Sequence, residues 1–287
     1  MRLSSLFLIL GLSSILLNGA YAEDEKTTLA KRCTGGFKEA CVDLGDMYAY
    51  GLENTKEDYK KASVYYKRGC ALKESDSCNE LGLLYEFGHG VYADIDTARE
   101  LYKDACTLGN SHGCNNLGSI ILKNEKDYKK AYKCFDRACQ MGCGDGCDNL
   151  GKLKIQGLGV SKDPKGAYKL FYQSCDQRCG DGCRDLAYVF ENGIGVDADY
   201  KKAVKFYKIA CDLDVKQACF DVANLYIKNN DQSVSFEMIR DLYKDACTLG
   251  YIPACGQYNA MSDGNYKSTL KNNYDFEEDS QRDTTRN

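Results

Sequence analysis

Residues 199–228 read DYKKAVKFYKIACDLDVKQACFDVANLYIK, and two helices are legible in them. In 199–213, Ala203, Phe206, Tyr207 and Ala210 recur at helical spacing. Lys201, Lys202, Lys205 and Lys208 take the opposite face, which makes the segment an amphipathic helix. In 219–228, Val222, Ala223 and Tyr226 repeat the pattern. Cys211 ends the first helix and Cys219 begins the second, so a bond between them would close a nine-residue ring across the turn.

The same text returns along the chain. Seven C-x7-C pairs occur, Cys33/Cys41, Cys70/Cys78, Cys106/Cys114, Cys139/Cys147, Cys175/Cys183, Cys211/Cys219 and Cys247/Cys255, and the first members lie 37, 36, 33, 36, 36 and 36 residues apart. Asp-Tyr-Lys-Lys-Ala stands at 58–62, 127–131 and 199–203. Gly-x-Gly-Val stands at 88–91, 157–160 and 193–196. Each unit of about 36 residues is therefore read as helix–loop–helix, and stacking the units buries a continuous core. Asp163-Pro164 suits an N-cap followed by the first helical residue. Gly45, Gly82, Gly118, Gly151, Ala187 and Ala223 hold one small position, expected to let two helix axes approach. The Gly-x-Gly loops follow helices rather than strands, so they are not phosphate cradles.

The chain has 287 residues, net charge −4, 17 Cys and 2 His. Without a basic face it does not read as a nucleic-acid binder. Met1-Arg2, an apolar run from Leu6 to Leu17 and Ala20-Tyr21-Ala22 are read as a signal peptide over 1–22, cleaved after Ala22. No later stretch is apolar enough to span a membrane. Export puts the cysteines in an oxidising space, so all seven pairs are expected as disulfides rather than zinc ligands. Residues 23–262 are read as the repeat solenoid and 263–287 as a disordered polar tail.

Three cysteines are surplus. Cys134 holds a position taken elsewhere by Leu101, Leu170, Phe206 and Leu242, and is expected as a core thiol. Cys143 and Cys179 sit inside their C-x7-C turns one repeat apart, a separation expected to exceed disulfide reach. Neither a cofactor nor a metal site is expected, because His89 and His112 flank opposite ends of one helix.

With Cys-x-x-Leu-Gly-x-x-Tyr, Gly-x-Gly-Val, Lys-Ala and Ala-Cys at a 36-residue period, the sequence resembles the Sel1-like repeats, relatives of the tetratricopeptide repeats. The staple in every unit, behind a signal peptide, is similar to the Helicobacter cysteine-rich proteins. That resemblance implies an all-α, right-handed α/α solenoid of about six units plus a terminal helix, secreted or periplasmic. It implies slow, penicillin-binding β-lactamase activity, or engagement of host or envelope proteins. The residues do not carry the enzyme reading. The only Ser-x-x-Lys is Ser268-Thr269-Leu270-Lys271, no Lys-Thr-Gly exists, and Ser262-Asp263-Gly264 is in the wrong order.

A binding reading has a feature behind it. Two residues past each second Cys stand Asp43, Glu80, Asn116, Asn149, Asp185, Asp221 and Gln257. Every one is a carboxylate or carboxamide on one helix position, so stacking aligns them as a ladder. In the related tetratricopeptide arrays that position faces a concave groove which clamps an extended peptide. The expected ligand is an extended peptide of a host or envelope protein, or a β-lactam or muropeptide.

Overall fold

The computed structural model describes residues 25–262; the expected signal peptide and polar tail lie outside them. Every regular element among the described residues is helical. In order they are α1 (25–34), α2 (Lys38–Tyr50), α3 (Tyr59–Ala71), α4 (Ser75–Phe87), α5 (Ile95–Thr107) and α6 (Ser111–Ile120). There follow α7 (Tyr128–Gln140), α8 (Gly144–Gln156), α9 (Pro164–Asp176), α10 (Gly180–Asn192) and α11 (Tyr200–Asp212). The last are α12 (Lys216–Lys228), α13 (Phe236–Thr248) and α14 (Ile252–Ser262). None is long and apolar enough to cross a membrane. The helices form two compact units, one ending at Gly146 and taking in Leu158–Ser161, the other holding Cys147–Gly157 and continuing from Lys162. Within each, consecutive helices pack on one another, which is the α/α repeat arrangement.

Local chemistry sets the boundaries. Asp58, Asp127, Asp163 and Asp199 cap α3, α7, α9 and α11 by accepting the backbone N–H three residues on, so the Asp-Tyr-Lys-Lys motif is a helix start. Pro164 takes the first helical position after its cap. Gly90 has φ +68°, and a Cβ there would lie 2.4 Å from the carbonyl carbon of Tyr59. Gly159 stands in the same way against Tyr128, and Gly195 against Pro164. The second glycine of each loop is thus the point where the loop rests on the backbone of the preceding repeat.

The small position makes room for a side chain of the following helix. A Cβ on Gly45, Gly82, Gly118 or Gly151 would fall within 3 Å of the ring of Tyr66, Tyr102, Phe135 or Phe171 respectively. Each glycine is the socket for one fully buried aromatic ring of the following helix. The choice of Tyr or Phe tracks the neighbouring helix. The hydroxyls of Tyr66, Tyr102, Tyr207 and Tyr243 donate to Asp46, Glu86, Glu191 and Asn224, at 2.6, 2.7, 2.9 and 2.6 Å. Where those two helix positions hold Ser119 and Leu122, or Lys152 and Ile155, no carboxylate or amide oxygen is on offer and the ring is Phe.

Cys33–Cys41, Cys70–Cys78, Cys106–Cys114, Cys175–Cys183, Cys211–Cys219 and Cys247–Cys255 are disulfides, with Cα atoms 4.4–4.8 Å apart. Cys139 and Cys147 are also disulfide-bonded. Each of the first six bridges ties a helix end to the next helix start, and so many bridges point to an oxidising compartment. Cys134, Cys143 and Cys179 are outside the bridges. Cys134 is half-buried rather than a core thiol, whereas Cys143 is buried.

The third unit, three residues short, lacks its Gly-x-Gly. Its chain leaves α6 through a π turn at Ile121–Glu125 and reverses at Lys126, with φ +54°. Glu125 receives Arg99 at 3.3 Å and Lys130 at 3.8 Å, so charged side chains fasten the shortened turn.

Candidate functional site: the polar ladder

The second helix of each repeat presents its surface through a fixed register. Four residues past the second Cys is the small socket, and two past it is the ladder position. Between lies a buried or half-buried residue that packs in the core: Leu44, Leu81, Leu117, Leu150, Leu186 and Val222. The ladder side chains are therefore held beside the core without entering it.

In the first unit Asp43 is exposed, and Glu80 and Asn116 are half-buried. Glu80 accepts from Tyr50 Oη at 3.2 Å and from Asn79 Nδ2 at 3.1 Å. Asn116 Nδ2 donates to Asn79 Oδ1 at 3.0 Å. Tyr50, Glu80, Asn79 and Asn116 thus form one hydrogen-bonded chain across three repeats. Burial raises the Glu80 carboxyl above the usual range, against the lowering effect of its two donors. Tyr50, raised to about 12 by burial and then by Glu80, keeps its proton and is 61% exposed.

In the second unit the ladder is ionic. Asn149 is half-buried on α8 and is engaged in contacts of its own. Asp221 receives Arg184 Nε at 2.7 Å. Asp185 receives Lys152 Nζ at 3.1 Å, and the same ammonium binds the buried Asp148. Burial, followed by the neighbouring Asp185, pushes the Asp148 carboxyl up to about 7 in spite of Lys152. Lys152 is shifted upward, since its two carboxylates outweigh its own desolvation.

The ladder residues thus stand at one register position, but they are not a row of idle groups awaiting a ligand. Four of the six between Asp43 and Asp221 reach a side chain of the neighbouring repeat or of the adjacent position. Two contributors escaped the sequence reading. Tyr50 ends its helix nine residues past Cys41, in a slot no other unit fills with Tyr. Lys152 follows Asp148 by four residues, a helical ion-pair spacing that signals the contact. Ser268 and Lys271 lie outside the described residues.

The comparisons with known proteins bear on this arrangement. The Sel1 repeat matches residues 38–73, 75–110, 111–143, 144–179 and 180–215. Helicobacter pylori HcpC, which carries a β-lactamase name, is 32% identical over 87 residues, 30% of this chain and 24% of that protein. The Sel1 repeat protein of Oxalobacter formigenes superposes with a TM-score of 0.69 at 21% identity, over 82% of this chain and 95% of that one. The protective antigen c5321 of uropathogenic Escherichia coli gives 0.66 at 20% identity, over 82% of this chain. The chain spans about a quarter of HcpC and about half of c5321. With five consecutive repeats matched over more than half its length, this chain belongs to the Sel1 repeat family.

Proposed function

We propose that the protein is an exported repeat scaffold which binds an extended peptide segment of a host or envelope protein along its polar ladder. Sel1 repeats commonly mediate protein interactions. The observation that carries the reading here is the chain Tyr50–Glu80–Asn79–Asn116. It sets an exposed aromatic ring beside a row of carboxamides and carboxylates at one-repeat spacing. Amides donate and accept at once, as an extended backbone requires. The acidic residues Asp43, Glu80 and Asp46 favour a neutral or basic segment. The bridges and the signal-like leader support a secreted or periplasmic setting.

Titration of fluorescein-labelled basic and acidic decapeptides by anisotropy tests this. Saturable binding of the basic set, weakened about tenfold by Tyr50→Ala and by Asn116→Ala with Asn149→Ala, is the expected result. Binding that ignores these changes, or prefers the acidic set, would place the interaction elsewhere. The β-lactamase name of HcpC supplies the competing activity. Hydrolysis of benzylpenicillin by the purified protein should be slow at best and unaffected by Ser268→Ala. Loss of turnover in that variant would make Ser268 a nucleophile and displace the scaffold reading.

A further inference from the structure

The turn that precedes α8 brings a third kind of chemistry together, away from the ladder. Position N2 of α4 faces the N-cap of α6: Asn110, that cap, donates to Asp76 at 2.6 Å. One repeat later the same two places hold His112 and Cys143. The Cys143 Sγ lies 3.7 Å from His112 Nδ1. Asp145, in the first turn of α8, completes a group of imidazole, thiol and carboxylate whose ligand atoms all fall within 4.8 Å of one another.

We infer that His112, Cys143 and Asp145 form a binding site for a zinc-class divalent transition metal. Zinc holds sulfur at about 2.3 Å and imidazole nitrogen at about 2.0 Å, so on a tetrahedron the two atoms stand about 3.5 Å apart. The Sγ–Nδ1 separation already has that value within a few tenths of an ångström. The carboxylate is the outlier, and being exposed it can swing inward at little cost. A set of one sulfur, one nitrogen and one oxygen suits zinc or cobalt and disfavours magnesium and calcium, which take oxygen alone. The fourth position is left to water.

The surroundings fit a ligand thiol. Cys143 is 2% exposed and packs against Cys106, Cys114 and Ala138, and the first two are already joined to each other. Its sulfur accepts backbone N–H groups of Gly146 and Asp145, donors that would hold a thiolate in place. His112 and Asp145 are exposed and provide the way in. On binding, the S–H bond breaks, its proton leaves to solvent, and a sulfur–metal bond forms with no change of oxidation state.

The test uses the disulfide-intact protein without reductant. Iodoacetamide labelling followed by peptide mass mapping reads Cys134, Cys143 and Cys179 separately. Saturating zinc should slow alkylation of Cys143 at least tenfold and leave Cys134 unchanged. Cobalt should give a thiolate charge-transfer band that persists in Cys134→Ser and is lost in Cys143→Ser and His112→Ala. Zinc affinity should drop at least tenfold in the same two variants. Cys143 labelling that is indifferent to zinc, in the unaltered chain, would overturn the assignment, and so would a cobalt band that survives Cys143→Ser.

Discussion

Asp148 is a buried charge beside the ladder residue Asn149, and replacing it with Asn should stabilise the protein in a pH-dependent way. The carboxyl is 3% exposed and shares the Lys152 ammonium with Asp185. With both carboxylates ionised the trio of Asp148, Lys152 and Asp185 carries a net negative charge in a largely buried setting. Its folded-state pKa, about 7, stands above the ordinary carboxylate value of about 3.9. The folded chain therefore binds more protons than the unfolded one between those limits, and stability drains away as pH climbs from 4 to 7. Three units at about 1.4 kcal/mol each set an upper limit of about 4 kcal/mol at pH 8. An Asn side chain accepts from Lys152 with its oxygen and can donate toward Asp185 with its nitrogen, so shape and hydrogen bonding survive. Guanidinium midpoints followed by circular dichroism, at half-unit steps from pH 4 to 8 and constant ionic strength, give the comparison. Midpoints are the proper readout because repeat arrays need not unfold in two states. Wild type and Asp148→Asn should agree near pH 4 and diverge steadily to pH 8, with the variant the more stable. A difference that is flat with pH, or a variant weaker at pH 8, would mean that Lys152 neutralises both carboxylates and the burial argument fails.

Two helical glycines should respond oppositely to alanine. Gly82→Ala drives a Cβ to 2.7 Å from the Tyr102 ring, an overpacking worth about 1–3 kcal/mol against a helix-propensity gain of about 1 kcal/mol. Gly256 in α14 has nothing within 4 Å, so Gly256→Ala keeps the gain alone; equal denaturation midpoints for the two variants would refute the socket. Each nine-residue bridge should contribute roughly 2–3 kcal/mol. Non-reducing peptide maps should show all seven as local pairs, and reduction should lower the midpoint of thermal unfolding by well over 10 °C. A map with Cys41 joined to Cys70 would reassign them.

What was legible in the sequence is what recurs. The helix pairs, the Asp caps and the staples depend on residues that return in every unit, so each copy confirms the others. The ladder was legible as a position but not as a set of bonds. Whether Asn116 meets Asn79, or Asp221 meets Arg184, depends on the residue one place before the ladder position in the preceding repeat, and that place runs through Val42, Asn79, Asn115, Asp148, Arg184 and Phe220. The His112–Cys143 contact was missed for a related reason. Like-residue spacings, His to His and Cys to Cys, carry no trace of it, whereas the fold joins unlike residues 31 apart, two short of the local repeat length. The Asp76–Asn110 pair, 34 residues apart in a 36-residue repeat, has the same offset.

If a peptide binds along the ladder as proposed, the self-pairing of the ladder constrains how. A peptide carbonyl that takes an N–H of Asn116 competes with Asn79 Oδ1 at 3.0 Å, and a peptide N–H that approaches Glu80 meets a carboxylate already holding two donors. Each exchange replaces a bond with a bond, so the net gain per contact lies at the low end of the roughly 0.5–1.5 kcal/mol of an intramolecular hydrogen bond. Affinity must then come from what is not already paired off in this way: the ring of Tyr50, exposed by 61%, and the unneutralised acidic edge at Asp43. A ligand with an aromatic or aliphatic anchor flanked by Lys or Arg meets both demands. Such binding should weaken with added salt to the extent that the Asp43 edge contributes, and lose its anchor with Tyr50→Ala but keep most of it with Tyr50→Phe, because the ring and not the hydroxyl does the holding.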